Sequence, residues 1–79
     1  MNKLKLKIAT PEYVIYFYIP NGEGLPGEIR MNIGDKEATV ISRASADNSA
    51  GNYEFKAIKA IQERVDKKIF PLEFTQAFY

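Results

Sequence analysis

The chain opens on a strict alternation of apolar and polar residues and then abandons it. From Lys3 to Ile8, Leu4, Leu6 and Ile8 fall on one face and Lys3, Lys5 and Lys7 on the other, the period of two expected of a half-buried strand. Tyr13-Val14-Ile15-Tyr16-Phe17-Tyr18-Ile19 is apolar or aromatic at every position, so a strand here asks for cover on both faces. Thr10-Pro11-Glu12 interrupts the two patterns and reads as a turn joining an antiparallel pair. Assigning Tyr13, Ile15, Phe17 and Ile19 inward with Leu4, Leu6 and Ile8 leaves Val14, Tyr16 and Tyr18 facing outward.

Pro20 to Gly27 holds three glycines and two prolines in eight residues, the composition of an irregular loop. Residues 28–33 and 36–42 then flank Gly34-Asp35, which suits a two-residue type II′ hairpin turn with glycine first. That hairpin sets Met31 opposite Ala38 and Ile29 opposite Val40, an apolar set on one face. Glu28, Arg30, Asn32, Glu37, Thr39 and Ile41 occupy the other. Ser45 to Asn52 is small and polar, with Ser49 or Asn52 as N-cap candidates for a helix over about 52–68. Phe55, Ile58, Ile61, Val65 and Ile69 fall on its apolar stripe, while Lys56, Lys59, Glu63, Asp66 and Lys67 face solvent. Pro71 ends that helix. The aromatic tail, with Phe70, Leu72, Phe74 and Phe78 on one face, fits a last strand or a short second helix.

These elements assemble into one α+β domain over residues 1–79. It is a two-layer structure, an antiparallel sheet of four to five strands with one amphipathic helix on one face, in the order β-β-β-β-α followed by the tail. The expected inward set is Leu4, Leu6, Ile8, Ile15, Phe17, Ile19, Ile29, Met31, Val40, Phe55, Ile58, Ile61, Val65 and Leu72.

Composition narrows the chemistry more than it suggests any. Apolar residues make up 46% and charged residues 27% of the 79, the balance of a folded globular chain. With no histidine and no cysteine, dyads built on imidazole or thiolate and zinc sites of either type are absent. The ten acids are scattered singly, without a calcium-loop pattern. Glu54 and Glu73, near apolar positions, are candidates for raised pKa values. The reading is therefore non-enzymatic, with no cofactor and no metal. The absence of staples, of a signal-like apolar run and of any stretch near 20 apolar residues leads to the expectation of a cytoplasmic protein without a membrane partner. Gly22-Glu23-Gly24-Leu25-Pro26-Gly27 matches the Gly-x-Gly-x-x-Gly spelling, but Pro26 removes an amide, Glu23 repels phosphate, and a strand follows where that motif needs a helix.

The remaining constellation is the outer sheet face. Lys3, Lys5 and Lys7 beside Val14, Tyr16 and Tyr18, with Arg30 near and Arg43 as a further neighbour, would interleave cations and rings. That pattern suits a single-stranded nucleic-acid platform. A net charge of +1 and the preference of tyrosine for protein contacts favour a protein interface instead. The first expectation is thus a protein-binding module, self-associating as a homodimer through Val14, Tyr16, Tyr18 and Ile41 and using the loop residues Asn21, Glu23 and Leu25. The alternative is a nucleic-acid binder using the same tyrosines and the lysines.

The order strand-strand-strand-helix resembles the second part of a double-stranded RNA-binding domain, although Asn48-Ser49-Ala50-Gly51 stands where that family has a lysine-rich helix start. The glycine and aromatic consensus of the RNA-recognition motif is absent. In size and in lacking catalytic side chains the chain is similar in style to phage or mobile-element proteins that bind and block a host machine, which implies an inhibitor-type role.

Overall fold

A computed structural model describes residues 1–47 and 52–77 of the chain. Strands β1 (Asn2–Ala9), β2 (Tyr13–Pro20), β3 (Gly27–Asn32) and β4 (Ala38–Ser42) run as a meander, helix α1 (Tyr53–Lys67) follows, and β5 (Glu73–Gln76) returns to pair with β1. All pairings are antiparallel and the sheet order is β4-β3-β2-β1-β5. The two-layer α+β architecture matches the sequence expectation, with the tail resolved as a strand rather than a second helix. Phe78 lies outside the described residues.

The uninterrupted apolar run is β2, the central strand. Its inward face is the opposite of the one expected. Val14, Tyr16 and Tyr18 are 0% exposed and form the core with Leu4, Ile29, Met31, Ala57, Ala60, Ile61 and Val65. Tyr13, Ile15, Phe17 and Ile19 face away from the helix. The cause is a single extra residue. Next to the turn, Ala9 pairs with Val14 and Ile8 with Ile15. A β-bulge then intervenes, and beyond it Leu6 pairs with Tyr16 and Leu4 with Tyr18. Without the bulge Leu6 would have met Phe17 and Leu4 would have met Ile19, the pairing that uninterrupted alternation implies. Lys7, the unpaired residue, flips the parity. Ile8, on the near side of the bulge, ends on the outer face and is 39% exposed.

The helix is also rotated relative to the expected stripe. Ala57, Ala60, Ile61 and Val65 are buried, Ile58 is half-buried, and Phe55 is 58% exposed. A sheet face already carrying two tyrosines leaves little room above it, so the alanines allow the close approach and the larger Phe55 is turned aside. Ile69 follows the left-handed C-cap Lys68 and lies exposed, and Leu72 is 78% exposed, so neither joins the core. Asn52 sits at the N-cap with φ 52° and makes no side-chain capping bond, while its backbone carbonyl accepts from Lys56 N at 3.0 Å. Ser49 lies outside the described residues. The helix start is instead held to the sheet: the Asn2 amide donates to Tyr53 O at 2.9 Å and the Gln76 amide to Lys56 O at 2.7 Å.

The β3–β4 hairpin keeps the expected register, with Met31 opposite Ala38 and Ile29 opposite Val40, although its turn differs. Asn32 N donates to Glu37 O at 3.0 Å, and the left-handed residue is Lys36 at φ 58° rather than Gly34. A four-residue loop over 33–36 replaces the two-residue turn. Both loops preserve the same residue sums across the ladder, which is why the pairing survives. A second bulge, at Ile41, separates Ile29↔Val40 from Glu28↔Ser42.

Candidate binding face

The tyrosines singled out from sequence are structural. Tyr16 Oη donates to Pro71 O at 2.8 Å, and Tyr18 Oη donates to Asp47 Oδ2 at 2.8 Å while accepting from Ala44 N at 3.1 Å. A buried phenol needs such partners, and each of these reaches a segment that flanks the helix. Burial pushes both hydroxyls up to about 12, Tyr16 slightly offset by Arg64 and Tyr18 by its bond from Ala44 N. A homodimer through Val14, Tyr16 and Tyr18 therefore has no surface to use.

The three glycines of the Gly-x-Gly-x-x-Gly spelling serve geometry as well. Gly22 and Gly24 take φ of 70° and 80°, which glycine adopts freely. Gly27 faces Tyr18 across the β2–β3 ladder, and a Cβ there would overlap Tyr18 Cε1 and lie 2.6 Å from Ala44 N. The loop then enters a strand. Of its expected binding residues, Asn21 accepts from the Met1 ammonium and donates to Tyr53 Oη, and Leu25 N donates to the Ser45 hydroxyl while Leu25 O accepts from Ser45 N. Glu23 and Leu25 are exposed at the tip.

What remains open is the other side of the sheet. Along β2 it carries Tyr13, Phe17 and Ile19, each half-buried, and Ile15, which is only 8% exposed. On the β3 side these face Asn32, Arg30 and Glu28, and on the β1 side Ile8, Lys5 and Lys3 face Ile15, Phe17 and Ile19. The lysines expected at the site are thus present, but beside a different row of β2 than expected. The Lys7 ammonium bonds both Glu28 carboxylate oxygens at 3.1 Å and lies 5.5 Å from the Phe17 ring centre, so this ion pair crosses the central strand. The Arg30 guanidinium stacks 4.0 Å from the Tyr13 ring centre. Lys3 pairs with Glu73 at 3.0 Å, and that bond lowers the Glu73 pKa, the reverse of the sequence expectation. The outcome is a narrow, largely half-buried apolar strip along β2, widened at one end by the exposed Ile8, between two charged borders. Reading the strip from sequence would have required locating the bulge at Lys7.

The other feature with chemical content is an open cleft of about 260 Å³ lined by Arg43, Asp47, Asn52, Glu54, Phe55 and Ile58. Its Asp47 carboxylate is committed to the Tyr18 hydroxyl and lies 3.6 Å from Arg43 Nε, so these groups brace the fold, and Arg43 stands apart from the outer face. Among the described residues no group of three or more His, Cys, Asp or Glu side chains could hold a metal ion. No helix among them is long and apolar enough to cross a membrane. No protein-family model, curated protein or solved structure matches the chain.

Proposed function

We propose that this is a non-enzymatic protein-binding module that works through its open sheet face. The observation that carries the reading is the half-buried pair Phe17 and Ile19 beside the nearly buried Ile15 on the side of the central strand away from the helix, bordered by Lys3, Lys5, Lys7, Glu28 and Arg30. An apolar centre within a charged rim is the anatomy of a protein interface. Phe17 at the middle is the natural anchor.

Affinity capture from an extract of the source cells tests it, comparing wild type, Phe17→Lys and the helix-surface control Lys59→Glu. A partner held by wild type and control and depleted at least tenfold on Phe17→Lys is the expected result. Capture of nothing, or retention of the same proteins by Phe17→Lys, would sink the reading.

The nucleic-acid reading keeps one favourable observation, because Tyr13 and Phe17 do share a face with the lysines. Each ring face is occupied by a cation, which a stacking base would have to displace. Gel shifts with short RNA and DNA at two salt concentrations separate the readings, since phosphate contacts weaken steeply with salt.

A further inference from the structure

The charges of the open face are unbalanced in a way that selects its occupant. Its ladder positions and the bulge carry four cations, Lys3, Lys5, Lys7 and Arg30, against two carboxylates, Glu28 and Glu73, with Glu37 opposite Asn32 at the hairpin end. Glu73 is committed to Lys3 and Glu28 to Lys7. Among the described residues, Lys5 and Arg30 make no ion pair within 4 Å, although the Lys5 charge also acts on Glu73 across the ladder, and the Arg30 side chain makes a long bond, 3.4 Å to Asn32 Oδ1. These two cations stand on opposite borders of the apolar strip, Lys5 across from Phe17 and Arg30 across from Ile15.

On this basis, and resting on the protein-binding reading above, we infer that the face is built to seat an acidic amphipathic helix lying along β2. Its apolar stripe covers the half-buried Phe17 and Ile19 and the exposed Ile8 beside Ile15, and one carboxylate on each flank pairs with Lys5 and Arg30. The strip is narrow, β2 with only Ile8 of β1 beside it at one end, which matches the single stripe of a helix. A partner sheet would set further apolar rows against the charged borders. Lys5 and Arg30 are offset by two residues along the strands, about 7 Å. Two helix positions five residues apart are separated by about 7.5 Å along the axis and about 140° around it, so acids at that spacing emerge on the two flanks with the offset required. A second copy of this chain meets the opposite situation, because its own open face carries the same excess of positive charge. Only two cations are left for phosphates, and both ring faces are occupied, which disfavours a nucleic acid.

The probe is a three-heptad peptide with Leu at a and d and Glu at every e and g, positions that include acids five residues apart and whose mutual repulsion opposes self-association. Its counterpart carries Lys at e and g, and a single-stranded DNA 12-mer is the third ligand. Binding is followed by fluorescence anisotropy and by amide chemical shifts of the labelled protein. The acidic peptide should perturb residues 3–7, 15–19 and 28–30, lose at least tenfold in affinity with the double variant Lys5→Glu plus Arg30→Glu, and bind better than the basic peptide. The same variant should reverse the preference and take the basic peptide, a gain that misfolding cannot imitate. Equal binding of both peptides, shifts confined to α1, no shift with either, or tighter binding of the DNA each overturns the inference. If the peptides fail while Phe17→Lys still releases a captured partner, the interface reading stands and the helix inference falls. If Phe17→Lys releases nothing, the interface reading itself has failed.

Discussion

At the scale of single residues, the pairing of Gly27 with Tyr18 shows how a glycine can be fixed by an aromatic neighbour rather than by its own backbone angles. The Tyr18 ring passes over the place a Cβ would occupy on its way to Ala44 N and Asp47. Gly27→Ala must therefore either displace the ring and break both hydroxyl contacts or push back the backbone at Ala44. Overpacking with loss of a buried hydrogen bond costs at least about 2 kcal/mol, a fall of roughly 10 °C in melting temperature for a domain of this size. Gly34 has nothing within 4 Å of a Cβ position, so Gly34→Ala is the control and should leave the melting temperature within a few degrees. Thermal melts of the two variants followed by circular dichroism check the contrast.

At the scale of elements, one bulge decides which side of the central strand is core. Deleting Lys7 should leave a folded protein, since Ile8 then continues directly into Leu6 and the pairs Leu6↔Tyr16 and Leu4↔Tyr18 are kept. The losses are an exposed ion pair and the cation over Phe17, about 1 kcal/mol together. Deleting Lys5 shortens the same strand by the same amount but brings Lys7 opposite Tyr16 in an unbulged ladder, a charge in the core with no partner. Amide spectra should be dispersed for the first deletion and collapsed for the second. If both unfold alike, the bulge is not a removable insertion.

The same bulge explains what could be read from sequence. The first four strands and the helix follow from local pattern, because alternation, Pro11, Pro71 and the glycine-rich loop act within a few residues, whereas the tail fits a strand or a short helix equally well. The hairpin register was equally legible, since turns of two and four residues preserve the same sums. The face of β2 was not, because every residue from Tyr13 to Ile19 is apolar and either side could have been core. No residue type marks Lys7 as the extra one. The helix face was legible at Ile61 and Val65 and misread at Phe55, where the size of the tyrosines beneath decides. The candidate site followed the same line: Lys3, Lys5, Lys7 and Arg30 lie on the open face as read, and their aromatic neighbours are Phe17 and Tyr13 instead of Tyr16 and Tyr18.

At the scale of the whole molecule, Tyr16 and Tyr18 clip both connections of the helix to the sheet, one at Pro71 and the other at Ala44 and Asp47. Their hydroxyls are raised to about 12 in the folded state from an ordinary value of 10. The native state therefore holds these protons more tightly than the unfolded chain. This contribution to stability is whole below about pH 10 and is lost as the pH rises toward about 12. Urea midpoints should be level between pH 7 and pH 9 and fall steeply above pH 10. The Tyr16→Phe and Tyr18→Phe variants, where folded, should each show a shallower fall. A wild-type midpoint unchanged up to pH 12 would contradict the burial of both phenols.

The placement of β5 has a further consequence. The first strand and the last are partners, Asn2 opposite Gln76, so the meander can form from near neighbours while this pairing waits for contacts distant in sequence. Four residues long and at the sheet border, β5 is the shortest strand of the sheet and open to transient release. Each release bares the backbone edge of β1, a template for recruiting another chain. Lys3 and Lys5, which border the open face in the closed molecule, then stand along that bared edge as charged guards against runaway strand addition. The alternation that begins the chain thus protects it in the moments when its last strand is absent.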